Sequence, residues 1–308
     1  MKLLIVCSIN SGRVAPFVEE QGDALAAAGV EVDYFTLRGK GLWNYVRNRK
    51  QLIKKIKEFH PQIIHAHYGL SGLLANLQRN VPVITTYHGS DINDSQVFLF
   101  SKIAVILSAY NIFVSEKIRE KAGSPKNSSI IPCGVDLNLF QDIDKTIARE
   151  KLGMDLQQKY ILFAGTFSNP VKNAALAIKS SEMLDNVRLL ELKGYTREEV
   201  ALLMNAVDAV LMTSYSEGSP QFIKEAMACG CPVVSVDVGD VYQLMNEIEG
   251  CYGCSYNKED VAAKLMKVLE RGQRTEGRKR IVELQLDTEN VAKRIREVYK
   301  MILNTRFS

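Results

Sequence analysis

Two glutamates, Glu217 and Glu225, stand eight positions apart in the stretch SYSEGSPQFIKEAMACGCPVVSVDVGD, residues 214–240. A Gly-Ser-Pro turn lies between them, an apolar run (AVLM) precedes them and another (PVVSV) follows. Ser219 has the side chain of an N-cap and Pro220 that of a first helical residue, so the spacing predicts a helix from 220 that closes at Gly230. The free N–H groups and dipole at its start suit an anion such as phosphate. Gly218 lets a ligand come close to the backbone. Glu217 falls in the loop after the strand, and Glu225 in the second helical turn, where side chains lean back towards the N-terminus. A carboxylate beside an anion needs hydroxyls to accept, and a phosphate flanked by two polyols is a nucleotide sugar. A plainer alternative stands beside this one: a solvated loop glutamate and a second that complements the helix dipole.

The elements that must position these groups alternate along the chain. KLLIVCSI, EVDYFTL, QIIHAH, VPVITTYH and NIFVS read as strands of a first half. YILFAG, VRLLEL, AVLMTSY, PVVSVDV and CYGCS read as strands of a second, and helical patterns separate them. Apolar strands alternating with helices argue for parallel sheets covered on both faces. The rhythm breaks over residues 136–157, which separates a Rossmann-like domain (1–140) from a second domain (158–308) by a linker region (141–157). Two open α/β sheets facing each other across a cleft place ligands at the carboxyl ends of their strands. The last helix, TENVAKRIREVYKMILN, is amphipathic and must bury one face.

The motif E-G-x-x-x-x-x-x-E-A-M-A-C-G-x-P-V-V followed by D-x-G resembles the signature of family-4 retaining glycosyltransferases of the GT-B fold. HGSD at 88–91, IPCGVDLNLF at 131–140, LFAG, and GYTREEVALLMNAVDAVLMTS follow in the order of that family. The resemblance implies a nucleotide-sugar donor and no metal or other cofactor, a first domain (1–140) that is the acceptor side, and a last helix that returns to that domain. It implies that Glu225 holds ribose hydroxyls and that Glu217 binds the transferred sugar near the reacting centre. The segment Gly218, Ser219, Pro220 and Gln221 would bind the donor, its backbone N–H groups meeting sugar hydroxyls and phosphate oxygens. Lys172 would neutralise the leaving diphosphate, His88 would lie beside the donor sugar, and Gly12 would approach diphosphate or acceptor. Asp91 is read as orienting His88 or capping a helix. The chain departs from the family in two places. Gly165-Thr166 stands where Gly-Arg is usual, with Asn169, Asn173 or Arg13 as candidate substitutes. The second domain also lacks one βα unit, which leaves Tyr195 and its neighbours to hold the base. His65 and His67 are read as facing opposite sides of their strand, in structural or acceptor-side roles.

Composition fits these readings. The 308 residues, 46% hydrophobic and 24% charged, describe an ordinary globular chain of two domains. No apolar run reaches membrane-span length, and the first strand is too short for a signal-peptide core, so a cytoplasmic protein is expected. The four cysteines Cys229, Cys231, Cys251 and Cys254 fall on core elements and read as small buried residues. Residues 1–150 carry 18 Lys and Arg against 14 Asp and Glu, whereas residues 151–308 carry 21 of each. Eight of the basic residues lie between Arg38 and Lys57 with no acidic one among them. With Trp43, Tyr45 and Phe59, and an apolar side of Leu42, Val46, Ile53 and Ile56, this stretch reads either as a packed helix with a solvated basic face or as a patch for anionic lipid. The latter suits peripheral placement on the inner face of a membrane and an acceptor that is a glycan or lipid-linked. Nucleic acid is not expected, since no recognition motif accompanies the charge. The residues after the first strand lack the G-x-G-x-x-G of nicotinamide enzymes. A non-catalytic sugar-nucleotide-binding or scaffold protein of the same fold is the alternative to a glycosyltransferase of bacterial surface polysaccharide assembly, and a sugar-nucleotide epimerase is a further rival.

Overall fold

The computed structural model describes residues 1–9, 12–39 and 47–305. The chain divides into two compact units, one formed by Met1–Gly134 and the segment from Thr288 onward, the other by Val135–Asp287.

The first unit holds a six-stranded sheet of β1 (Lys2–Ser8), β2 (Glu31–Leu37), β3 (Ile63–His67), β4 (Val83–Tyr87), β5 (Tyr110–Phe113) and β6 (Ser128–Ile130), in the order β2-β1-β3-β4-β5-β6. Every pairing is parallel. β3 and β4 are buried along their whole length, as strands covered by helices on both faces must be. The second unit holds β7 (Lys159–Phe163), β8 (Val187–Glu191), β9 (Ala209–Met212), β10 (Val233–Val236) and β11 (Tyr252–Cys254), in the order β11-β10-β9-β7-β8 and again all parallel. β8, at the edge, is only half-buried. The direction of strand order reverses between β1 and β3 in the first sheet and between β7 and β9 in the second, and such a switch point opens a crevice at the strands' carboxyl ends.

The last helix, Thr288–Asn304, belongs to the first unit, as the resemblance implies. Val291, Ala292, Ile295, Val298 and Tyr299 are buried against Leu3, Ile5, Val18 and Leu25. Each of the larger of these side chains contributes roughly 1.5–3 kcal/mol on burial. Arg294 Nη2 donates to the carbonyl of Ile130 (2.7 Å), tying the helix to β6. In the basic stretch, the helix Arg49–Phe59 is anchored by Leu52, with Ile56 and Phe59 packed beside it. The buried face is thus headed by Leu52 and not by Ile53, because residues 52, 56 and 59 follow the helical spacing that meets the sheet. Trp43, Tyr45, Leu42 and Val46 lie outside the described residues. Among the described residues no helix is long and apolar enough to cross a membrane.

Candidate functional site

The loops after β7 and β9 are fastened to each other at the second sheet's switch point. After β7 the chain turns through Gly165 and a 3-10 turn, Pro170–Lys172, whose start is capped by Asn169 Oδ1 accepting from Val171 N (3.1 Å). Thr213 Oγ1, just past β9, donates to the carbonyls of Lys172 (2.9 Å) and Asn173 (3.0 Å), and Tyr215 N donates to the carbonyl of Val171 (2.9 Å). The result is a Lys172 Nζ to Glu217 Oε1 ion pair of 2.7 Å, with the two side chains 24% and 17% exposed. Gly165 makes room for it: a Cβ there would stand 2.9 Å from Lys172 Cγ. An ammonium has three donors, and Glu217 occupies one.

Glu217 is followed by Gly218, Ser219 and Pro220, and then by the helix Gln221–Ala228. This corrects the sequence expectation by one residue. Pro220 flanks the helix instead of starting it, and Ser219 does not cap it. The Ser219 hydroxyl donates instead to Asp240 Oδ2 (2.7 Å), which binds the segment before the helix to the turn after β10. That turn contains Gly239, at φ +57°, where a Cβ would sit 2.6 Å from the Gly218 carbonyl oxygen. The D-x-G of the sequence is therefore a backbone-to-backbone contact that buttresses the loop of Glu217. Glu225, one turn into the helix, is buried, and its Oε1 accepts from Arg197 Nη2 at 2.7 Å. Arg197 also lies over the ring of Phe140, 4.8 Å from its centroid. It starts the helix Arg197–Ala206, whose capping box of Thr196 and Glu199 fixes where that helix begins. Arg197 was not singled out in the sequence, because a charged residue in the first turn of a helix ordinarily faces water. Tyr195, two residues earlier, is 37% exposed.

At the position of the expected arginine, Thr166 Oγ1 meets Ser168 Oγ at 3.3 Å. Asn169 spends its side-chain oxygen within its own turn, and Asn173 is in a left-handed conformation that ends that turn. The four cysteines of the second unit sit in or against its core. Burial raises all four thiols, Cys229 and Cys254 to about 12 and Cys251 to about 11.

In the first unit, Gly12 follows β1 at φ +93° with open space where a Cβ would be, and its N–H donates to the Ile9 carbonyl (2.9 Å). His88 follows β4. Asp91 serves both turns at this edge: Oδ1 accepts from the N–H groups of His88 (3.1 Å) and Gly89 (3.0 Å), and Oδ2 from Gly69 N (3.0 Å). It therefore orients the backbone that carries His88, and burial pushes its carboxyl up to about 6 against these hydrogen bonds. His65 and His67 do not face opposite sides. Residues two apart on a strand share a face, and their rings stack at 4.7 Å. His65 is held by Tyr299 (Nδ1 to the hydroxyl, 2.6 Å) and Thr86 (Nε2 to Oγ1, 2.7 Å). His67 Nδ1 meets His88 Nε2 at 3.0 Å. In the basic stretch, Lys54 pairs with Glu58 (3.6 Å) and Lys55 with Asp33 (2.5 Å).

Two parallel, doubly wound sheets, each with a switch point lined by polar groups, define the class of GT-B proteins. The chain belongs to the family-4 glycosyltransferases of that fold: residues 14–139 match Glycosyltransferase Family 4 and residues 159–271 match Glycosyl transferases group 1. It is 27% identical over 223 residues to TuaC, a Bacillus subtilis glycosyltransferase named for teichuronic acid biosynthesis, covering 63% of this chain and 57% of TuaC. It is 24% identical over 264 residues to a D-inositol 3-phosphate glycosyltransferase of Mycobacterium sp. (strain KMS), covering 69% of this chain and 60% of that protein. The chain thus spans about three-fifths of the length of these curated relatives. Among solved structures, sucrose-phosphate synthase from Thermosynechococcus elongatus superposes with a TM-score of 0.85 at 18% identity, over 99% of this chain and 100% of that one. Anabaena HepE in complex with UDP-glucose does so with a TM-score of 0.76 at 18% identity, over 98% and 100%.

Proposed function

We propose that the chain is a metal-independent, retaining glycosyltransferase that moves a sugar from a nucleoside diphosphate to a hydroxyl of a glycan or lipid-linked acceptor. The observation that carries this reading is the Lys172–Glu217 pair, at 2.7 Å, beside the start of the helix Gln221–Ala228. In this reading Lys172 is the cation for the departing diphosphate and Glu217 the neighbouring carboxylate that accepts sugar hydroxyls. Electrostatic stabilisation of the leaving group is commonly the largest contribution to such a reaction, and Lys172 takes the part a metal plays elsewhere. Backbone N–H groups between Gly218 and Gln221 receive phosphate oxygens or sugar hydroxyls. Glu225, steadied by Arg197, receives the ribose, and Tyr195 lies against the base. Gly12 gives a backbone approach to diphosphate or acceptor. His88 hydrogen-bonds a hydroxyl of the transferred sugar. The bond from the anomeric carbon to the diphosphate oxygen breaks, the acceptor oxygen bonds to the same face, and a donor phosphate oxygen takes the acceptor's proton.

TuaC supports a role in bacterial surface polysaccharide assembly, and HepE was solved with UDP and with UDP-glucose, which supports a uridine donor. Cytoplasmic placement is part of the same proposal, with the basic stretch 38–57 meeting the inner face of the membrane. Thr166, in place of a second cation, favours the alternative of a sugar-nucleotide-binding scaffold. Incubation with UDP-glucose, GDP-mannose or ADP-glucose and a lipid-linked acceptor in EDTA separates the two readings. The transferase forms a glycoside of unchanged anomeric configuration by NMR. The scaffold binds donor and leaves it intact.

A further inference from the structure

We infer that His67 is a positioning residue that donates a hydrogen bond from Nδ1 to His88 Nε2, and so holds His88 as the tautomer protonated at Nδ1. The two nitrogens are 3.0 Å apart. The rings are 22° from parallel with centroids 5.2 Å apart, an arrangement in which the in-plane lone pair of one nitrogen can face the N–H of the other. Which nitrogen carries the proton follows from the network around it. His67 is fully buried, and burial lowers it to about 3, so its ring is neutral and carries one proton. Its Nε2 is buried with no hydrogen-bond partner among the described residues. If the proton were on Nε2, an N–H would be orphaned in the interior, and such groups are rarer than bare acceptors. With the proton on Nδ1, the only partnerless atom is a lone pair and His88 Nε2 must accept.

The setting keeps His88 from escaping this arrangement. Its ring contacts those of Phe17 (centroids 4.8 Å apart) and Tyr68 (4.6 Å). Its backbone is fixed by Asp91, and its Nδ1 faces Cys133 Sγ at 3.7 Å, a weak acceptor. His67 is held in turn by the stacked His65, whose two nitrogens are engaged by Tyr299 and Thr86. Tyr299 comes from the last helix, so that helix's return to the first sheet braces the histidine chain. The consequence, which rests on the function proposed above, is that Nε2 of His88 is engaged and does not act as a base, so that a hydrogen bond from His88 to a sugar hydroxyl comes from Nδ1 in exchange for its weak contact with Cys133.

The chain has four histidines, so a long-range 1H–15N correlation spectrum of the 15N-histidine-labelled protein can be assigned with single substitutions at His60 and His65. The expected spectrum has His88 protonated at Nδ1 with a pyridine-like Nε2, and His67 protonated at Nδ1. His67→Phe should move His88 away from that tautomer. His67→Asn, whose amide nitrogen can stand near the place of Nδ1, should restore it. With a donor that the wild type uses, His67→Phe should lower kcat by about 10- to 100-fold with donor KM little changed, and His67→Asn should recover most of the loss. A wild-type spectrum with His88 protonated at Nε2 overturns the inference, as does a folded His67→Asn variant that restores neither tautomer nor turnover. Should His67→Phe not fold, the wild-type spectrum decides. If the wild type turns over no donor, the proposed function fails while the spectrum still tests the hydrogen bond.

Discussion

Lys172→Met and Glu217→Gln, made singly and together, separate what the 2.7 Å ion pair does for the fold from what it does for a ligand. The side chains are 24% and 17% exposed, so the pair lies between a surface bridge, worth about 0–1 kcal/mol, and a buried one, whose rupture costs about 3–5 kcal/mol. Lys172→Met should therefore destabilise the second unit by about 1–2 kcal/mol, a fall in Tm of roughly 3–6 °C. The double variant should be less affected than the two single losses added together, because no charge is left unpaired. Ligand binding should follow a different pattern. An ammonium–phosphate hydrogen bond contributes about 1.5–3 kcal/mol, so Lys172→Met should weaken UDP binding roughly 10- to 100-fold by calorimetry. Glu217→Gln removes the carboxylate that competes with phosphate for Lys172, so it should bind UDP at least as tightly as the wild type. Its turnover of nucleotide sugar should nevertheless fall by about 10²-fold or more, since the acceptor for the sugar hydroxyls is weakened. Unchanged UDP affinity in Lys172→Met, or a loss in Glu217→Gln equal to that in Lys172→Met, would refute the reasoning.

Further outcomes are expected elsewhere. Gly239→Ala puts a Cβ 2.6 Å from the Gly218 carbonyl at a positive φ, so it should cost about 1–2 kcal/mol in strain alone, lower Tm and weaken UDP binding together. Arg197→Met leaves buried Glu225 without its guanidinium and should reduce stability by about 1–3 kcal/mol, measured by urea denaturation. His65 and His67 are held neutral by burial, His67 with its pKa lowered from 6.5 to about 3, so their contribution to stability is present above pH 6.5 and is lost as pH falls towards 3. Asp91, raised from 3.8 to about 6, has the opposite sign: the stability linked to its proton is present below pH 3.8 and is lost as pH rises through 6. Tm measured at pH 7.5 and pH 5 should therefore fall on acidification, and fall further in Asp91→Asn, which removes the opposing group.

Much of the fold was legible because the strands are short, apolar and separated by helical patterns, as in AVLM and PVVSV, which form β9 and β10 of the second sheet. That the last helix buries one face was legible from its amphipathic pattern, and its return to the first unit from the family resemblance. Details that depend on partners distant in sequence were not. Ser219 has the type of an N-cap, yet its hydroxyl reaches Asp240 across a turn that no local pattern reveals. Arg197 reads as a surface residue until the helix Gln221–Ala228 brings Glu225 to it. His65 and His67 share a face through the two-residue period of a strand, against the expectation that they face opposite sides. Their link to His88 needs the adjacency of β3 and β4, which the parallel pairing of His67 with Thr86 supplies. Gly165 showed its purpose only when the stem of Lys172 was found lying over it.

The central claim is that the second unit binds a nucleoside diphosphate through Lys172 and the loop of Glu217. Its most direct test is the melting temperature of the chain with UDP, GDP, ADP and CMP, in EDTA. A ligand present at 100 times its Kd stabilises the folded state by about 2.7 kcal/mol. The expected result is a rise in Tm with one nucleoside diphosphate, indifferent to EDTA and much reduced in Lys172→Met. No rise with any of the four at millimolar concentration, or a rise of equal size in Lys172→Met, would contradict the claim.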